Sequence, residues 1–141
     1  MPVEAALVAY LDTLLSESAS SNPPTLVEGP MPEIPDAMIA VTHYGGEPAD
    51  SRVMGASLVN EGLVEQPHVQ VMVRGAANDK SGPRTRAFAA HAVLDGYGPG
   101  TLSGVLYHRI ESLDGEPYCL GQDMNERWRY VVNYRVQKGK G

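Results

Sequence analysis

The chain has 141 residues, a mass of 15.1 kDa and a formal net charge of −6 at pH 7. This size favours a single domain, which we expect to span residues 1–141 and to bury about two-thirds of the unfolded chain's surface. A hydrophobic share of 43% and a charged share of 20% exclude a disordered chain, and no apolar run approaches the roughly 18 residues of a membrane span.

The charge and the cysteine content exclude further classes of protein. A net-acidic chain lacks the electrostatic attraction that dominates nucleic-acid binding, which disfavours a DNA-binding protein. The single cysteine, Cys119, excludes an intrachain disulfide and a cysteine-based zinc site. Residues 1–15 carry no basic segment and no small-residue cleavage site, so we expect synthesis in a cytoplasm without secretion.

The N-terminal third predicts a helix followed by an extended segment. Val3, Leu7 and Leu11 repeat at helical spacing, which predicts an amphipathic helix over residues 3–17. Serines and prolines then interrupt the pattern, and we expect an extended Pro-rich arm at about 19–35. Neither a helix nor a central strand fits that arm.

The middle of the chain predicts strands and a second helix. Residues 37–44 form a short apolar run that is typical of a buried strand, and residues 68–74 alternate as a half-buried antiparallel strand. A weaker strand is predicted at 56–64. Residues 84–94 predict a helix, with Ser81 and Gly82 as its capping candidates.

The last third predicts strands joined by turns. Residues 104–112 and 117–120 read as strands, with Asp114-Gly115 as a hairpin turn between them. Residues 127–137 give the clearest strand: Trp128, Tyr130, Val132, Tyr134 and Val136 share one face. The element order predicts an α+β fold, with an antiparallel or mixed sheet of about four to five strands and two α-helices packed on one face.

Few residues point to chemistry. The histidines at 43, 68, 91 and 108 show no metal-ligand spacing, and hydrogen-bonded structural roles are the expectation for them. Cys119 is expected to be buried and inert. The glycines at 96, 98 and 100 follow a helix, which is the wrong order for a dinucleotide-binding turn. We therefore predict no catalytic, cofactor-binding or metal-binding residues.

The last predicted strand carries a row of arginines. Arg127, Arg129 and Arg135 repeat with period 2 and therefore share the face opposite the aromatic residues. An ordinary solvated sheet face is one interpretation. The other is a contact with acidic groups of a neighbouring subunit, because arginine favours bidentate pairing with carboxylates.

Three segments together resemble a known family. They are LGQDMNERWRYVVNYRV at 120–136, IPDAMIAVTHYGGEP at 34–48, and VQVMVRG at 69–75 followed by a helix. In order and spacing they resemble the tail terminator (tail-completion, or minor capsid) proteins of long non-contractile-tailed bacteriophages. The resemblance extends over roughly residues 3–137, nearly the whole chain.

The resemblance implies a non-enzymatic virion protein that is assembled in the host cytoplasm. Such subunits form a ring, typically of six, that caps the tail tube, ends its polymerisation and provides the joining surface to the head. The implied partners are further copies of the chain, the tail tube protein and a head-completion or connector protein, with DNA passing through the lumen and no membrane. The arm at 22–35 is longer than the family pattern suggests.

If the chain forms such a ring, two sets of residues are candidates for its contacts and its lumen. The arginines at 127, 129 and 135 are candidate subunit contacts. Acidic loop residues would repel DNA phosphates during passage, so we predict that some of them face the lumen: Glu47, Asp50, Asp79 and Asp123. The alternative for these four is an ordinary solvated loop carboxylate.

Three other functions stay open at this point. A head-completion or connector adaptor of the phage neck would share the ring and lack the contact with the tube. A small cytoplasmic hydrolase or nuclease would need His43, His91 or His108 to meet Asp36 or Asp123 in one pocket. A stand-alone binding module would stay monomeric at high concentration.

Overall fold

The structure is a computed structural model that describes residues 2–15, 18–21, 23–50 and 64–139, and the side chains of 47–50 lie outside this description. Its elements, in chain order, are α1 (Val3–Leu14), β1 (Leu26–Glu28), β2 (Met38–Asp50), β3 (Val64–Ala77), α2 (Ser81–Leu94), β4 (Gly100–Leu102), β5 (Val105–Ser112), β6 (Tyr118–Gln122) and β7 (Arg127–Gly139). The predicted α+β class is confirmed. Of the weaker strand predicted at 56–64, only Val64 falls within the described residues, where it begins β3.

The described strands form one mixed sheet. Its order is β1-β2-β3-β7-β5-β4. Strand β6 pairs with the same edge of β7 as β5 does, nearer the start of β7. Only β1 with β2 is parallel, and the other pairs are antiparallel. The expected count of four to five strands is wrong, because the structure has seven. Strands β1 and β4 have three residues each, which is too few to show a period-2 pattern.

Both helices pack on one face of the sheet, as predicted. From α1, Leu7 and Leu11 enter the core, and from α2, Ala90 and Leu94 do so. The apolar face of β7 contributes Tyr130, Val132, Tyr134 and Val136 to the same core. Burying a valine or leucine side chain fully contributes about 1.5–3 kcal/mol relative to leaving it exposed. We call the opposite side of the sheet, which neither helix covers, the open face.

The start of α2 differs from the sequence prediction. The capping side chain is Asp79, whose Oδ1 accepts a hydrogen bond from the Gly82 N–H at 3.0 Å. The helix begins at Ser81, so the expected caps Ser81 and Gly82 lie inside its first turn. An aspartate three residues before the bonded N–H satisfies one of the free donors of a helix start.

The predicted hairpin at Asp114-Gly115 is wrong. Strands β5 and β6 both run antiparallel to β7 along the same edge, so the chain does not reverse between them. Residues 113–117 instead form an outward loop, and Asp114 Oδ2 anchors it by accepting bonds from the Asn133 backbone N–H at 2.7 Å and side-chain amide at 2.9 Å. The reversal into β7 occurs at Asp123–Glu126.

The Pro-rich arm contributes to the sheet edge. Residues 26–28 within it form β1, which pairs with Ile39 to Val41 of β2. This edge position fits the prediction that the arm holds no central strand. Residues 30–37 continue without regular structure toward the open face, where two arginines bind them.

Candidate functional site

The arginines of β7 project from the open face of the sheet. Strand alternation places Arg127, Arg129 and Arg135 there, because the alternate residues from Tyr130 to Val136 enter the core. Arg74 of β3 lies directly across from Arg129 in the antiparallel register. At the end of the sheet where β3 ends and β7 begins, Arg74 and Arg127 are only 4% and 3% exposed.

Arg127 binds three carboxylates. Its Nε lies 2.8 Å from Asp123 Oδ2, its Nη1 3.2 Å from Asp36 Oδ1, and its Nη2 3.2 Å from Glu33 Oε2. Nη1 also donates to the Glu33 carbonyl at 2.8 Å. Asp123 belongs to the β6–β7 turn, whereas Glu33 and Asp36 belong to the arm. One buried guanidinium therefore joins the arm to the turn.

The charges of this cluster support one another. Burial alone would raise the pKa of Asp123, but the N–H groups of Arg127 and Asn125 and the Arg127 guanidinium outweigh it and lower that pKa. For Arg127, burial lowers the pKa, and the hydrogen bonds to Asp123, Asp36 and Glu33 more than reverse this. Both groups are charged at neutral pH.

Arg74 fixes the arm by a different chemistry. Its guanidinium donates to the carbonyls of Pro32 and Pro35 at 2.7 Å, of Asp36 at 2.8 Å and of Glu33 at 3.2 Å. Burial lowers the pKa of Arg74, and the nearby Arg127 lowers it further. The sequence shows Arg74 on the open face but not this role, because its acceptors are backbone atoms of a segment without periodicity.

Arg129 differs from the other two arginines of the row. Across residues 2–15, 18–21, 23–50 and 64–139 it forms no ion pair, and its Nε is buried without a hydrogen-bond partner. Arg135, in contrast, pairs across the strands with Glu111 of β5, to which its Nε donates at 2.8 Å. The arginine row thus contains two members bound within the subunit and one, Arg129, that forms no ion pair among the described residues and lies opposite Arg74 in the strand register.

The acidic candidates have separate surroundings. Besides its ion pair with Arg127, Asp123 stabilises the β6–β7 turn. Its Oδ1 accepts hydrogen bonds from the backbone N–H groups of Asn125 at 2.9 Å and Arg127 at 3.0 Å. Asp79 caps α2. Glu47 and Asp50 lie on the β2 backbone, and their side chains fall outside the described part. Of the four, the structure describes side-chain contacts for Asp79 and Asp123 alone.

The histidines take local contacts. His91 Nδ1 lies 2.9 Å from the Tyr134 hydroxyl and its Nε2 lies 3.8 Å from Asp95, so it links α2 to β7. His43 contacts the Gly45 carbonyl and lies 4.0 Å from Glu4. Asp36 and Asp123 are bound by Arg127 instead. The pairing of histidine with Asp36 or Asp123 that a hydrolase would need is therefore not formed among the described residues.

Cys119 lies at the surface of the sheet, and the prediction that it is buried is wrong. Its strand, β6, has no strand on its outer side in the described part of the chain, which leaves the thiol exposed. Among the described residues no group of three or more His, Cys, Asp or Glu side chains is arranged to hold a metal ion. Neither described helix is long and apolar enough to cross a membrane.

The arm and the β6–β7 turn also carry exposed apolar side chains, and no pattern in the sequence indicates that these side chains are exposed. Met124 at the tip of the β6–β7 turn is fully exposed, and Ile34 of the arm is 70% exposed. The arm and the turn are further joined by a hydrogen bond from the Asn125 amide to Glu33 at 3.4 Å. Exposed apolar groups on segments held in place are typical of contact surfaces.

Comparison with known proteins identifies a matching family and a similar fold. A family model described as bacteriophage tail terminator protein matches residues 17–139. Among solved structures, a chain from the virion of a native gene transfer agent (GTA) particle has a similar fold, with a TM-score of 0.64 and 14% identity over 98% of this chain and 95% of that chain. No curated protein sequence matches the chain at a significant level.

Proposed function

The chain belongs to the bacteriophage tail terminator protein family, and from this we propose that it forms a ring that caps the tail tube and stops its polymerisation. A structural role in the phage tail or neck follows from the family itself. The ring, typically of six copies, would also present the surface that joins the tail to the head. The family match over residues 17–139 is the observation that carries the proposal.

Features of the sheet support a subunit that is completed by neighbours. The outer side of β6 has no strand beside it in the described chain, and Tyr118 and Leu120 of β6 are 42% and 43% exposed. An exposed apolar edge strand favours unwanted pairing unless something covers it. A rotationally closed contact between unlike surfaces covers such an edge and makes a ring of defined size.

The charge supports a channel for DNA. A net charge of −6 on each copy would repel phosphates and keep passage through the lumen free of binding. We propose that Glu47, Asp50, Asp79 and Asp123 include the lumen-facing groups. Asp79 and Asp123 would serve there in addition to holding α2 and the β6–β7 turn.

The proposed partners are further copies of the chain, the tail tube protein and a head-completion or connector protein. A binding assay separates the tail terminator from the head-side adaptor. Immobilised chain is exposed in turn to purified tube protein and to purified connector rings. Binding to tube protein, with an early plateau of light scattering when the chain is added to polymerising tubes, supports the proposal. Binding to connector rings alone, with unlimited tube growth, would replace it with the adaptor.

A further inference from the structure

Arg129 is the residue whose surroundings inside the subunit are incomplete. Its Nε is buried without a hydrogen-bond partner, and no ion pair reaches it from the described residues. Buried polar groups normally have partners, so a buried N–H group without one is uncommon. No acceptor among the described residues reaches the Arg129 Nε, so a ligand from a neighbouring molecule would complete its surroundings.

The neighbour on one side of Arg129 makes the situation less favourable. Arg74 lies directly opposite on β3, and like charges at opposed positions of a sheet repel. Arg74 itself is bound by the carbonyl oxygens of the arm, which carry no net charge. The carboxylates nearby are bound by Arg127. No carboxylate of the described residues therefore forms an ion pair with Arg129.

On the other side of Arg129, the neighbouring residue of β6 has open space beside it. Gly121 of β6 is opposite Arg129, and a side chain built there would meet no atom within 4 Å. Its φ of +98° is one that residues other than glycine rarely adopt. The exposed Tyr118 lies further along the same strand. We call the space bounded by Arg129, Gly121 and Tyr118 the Arg129 notch.

We propose that the Arg129 notch receives a carboxylate from a second copy of the chain. This inference rests on the proposed ring and names a contact within it. A carboxylate matches the planar guanidinium, which can bind both oxygens at once. The chain has 17 acidic residues against 11 Lys and Arg, so its own surface supplies the ligand. Phosphates of DNA are disfavoured by the net negative charge of each copy.

Three acidic side chains can supply the carboxylate. Within the described part of the chain, Asp12 on α1, Glu28 on β1 and Glu116 in the β5–β6 loop form neither an ion pair nor a side-chain hydrogen bond. None of them belongs to β6 or β7, the two strands that carry the notch. A contact between two unlike surfaces is heterologous, which generates a ring when the rotation closes.

The test measures self-association by analytical ultracentrifugation and tube capping by electron microscopy. Arg129→Glu is expected to weaken self-association by about tenfold or more, because the carboxylate at position 129 would then face the proposed carboxylate of the neighbouring copy. Arg109→Glu, a reversal at a residue 60% exposed, is the matched control and should change it by less than about threefold. Combined with Arg129→Glu, a reversal at Asp12, Glu28 or Glu116 to Arg should restore association.

Folding and function are separated by further readouts. Arg129→Gln should unfold at a urea concentration no lower than the wild type, because it removes repulsion from Arg74. A lower midpoint for Arg129→Gln would indicate a merely structural residue and overturn the inference. It is also overturned if Arg129→Glu associates and caps tubes like the wild type, or if none of the three double variants restores association. Association through Arg129 without any tube capping would uphold the notch and contradict the proposed function instead.

Discussion

Arg127 is buried while two of its three carboxylate partners remain in contact with water. The Glu33 and Asp36 side chains are 80% and 58% exposed, and only Asp123 is largely enclosed. Removing Arg127 therefore leaves two carboxylates that water can solvate, and one that it cannot. The main loss is the anchoring of the arm to the turn.

Arg127→Ala is expected to lower the free energy of unfolding by about 2–3 kcal/mol, since it deletes several charge-assisted hydrogen bonds. Urea denaturation followed by circular dichroism measures this. Arg109→Ala is the control: its pair with Glu111 at 3.5 Å is exposed and should contribute less than about 1 kcal/mol. Equal losses for the two variants would contradict the assigned role of Arg127.

Asp123 gives the cluster a defined pH dependence. Its pKa is lower in the folded chain than its ordinary value of 3.8, so its contribution to stability is complete above that value and is lost as the pH falls through the folded pKa. We expect wild type to exceed Asp123→Asn in stability by the same margin at pH 7 and pH 5. Below about pH 4 the margin should shrink. A margin that shrinks already between pH 7 and pH 5 would exclude this explanation.

For single residues, the sequence predicts positions better than roles. Period-2 alternation places Arg127, Arg129 and Arg135 on one face, and the structure agrees. It does not reveal that Arg127 binds Glu33 and Asp36, because those residues lie more than ninety positions away in a segment without periodicity. Only the folded sheet brings the arm beside the start of β7.

Among the elements, α2 depends on a residue placed before it. Asp79→Ala should cost about 1 kcal/mol of stability, because the Gly82 N–H loses its acceptor. Asp79→Asn keeps an acceptor at the same position and should stay near wild type. Thermal unfolding compares the two. If both variants lose the same stability, the charge and not the cap would be responsible.

The strands show where turn chemistry misleads. Asp114-Gly115 has the composition of a hairpin turn, yet β5 and β6 continue in one direction along β7. Asp114 instead binds Asn133 of β7, which holds the intervening residues out of the ladder. The long strand at 127–137 was predictable because its alternation is regular. The three-residue strands β1 and β4 were not, because pairing with neighbours and not pattern defines them.

For the molecule as a whole, the helix-covered face of the sheet forms the core, and the open face carries the proposed contact residues. The helix face holds the core, which the aromatic and branched residues of β7 make predictable. The open face holds Arg74 and Arg127, which bind the arm, together with the Arg129 notch and the outer edge of β6. Contacts between copies could not be predicted from alternation alone, because they depend on which charges the fold leaves unbound.

We propose that the chain ends tube growth as a ring. The most direct test is negative-stain electron microscopy of tail tube protein polymerised with and without the chain. We predict tubes of limited length with a ring at one end, and fewer such ends with Arg129→Glu than with Arg109→Glu. Tubes of unlimited length with bare ends, at a chain concentration that exceeds the number of ends, would contradict the claim.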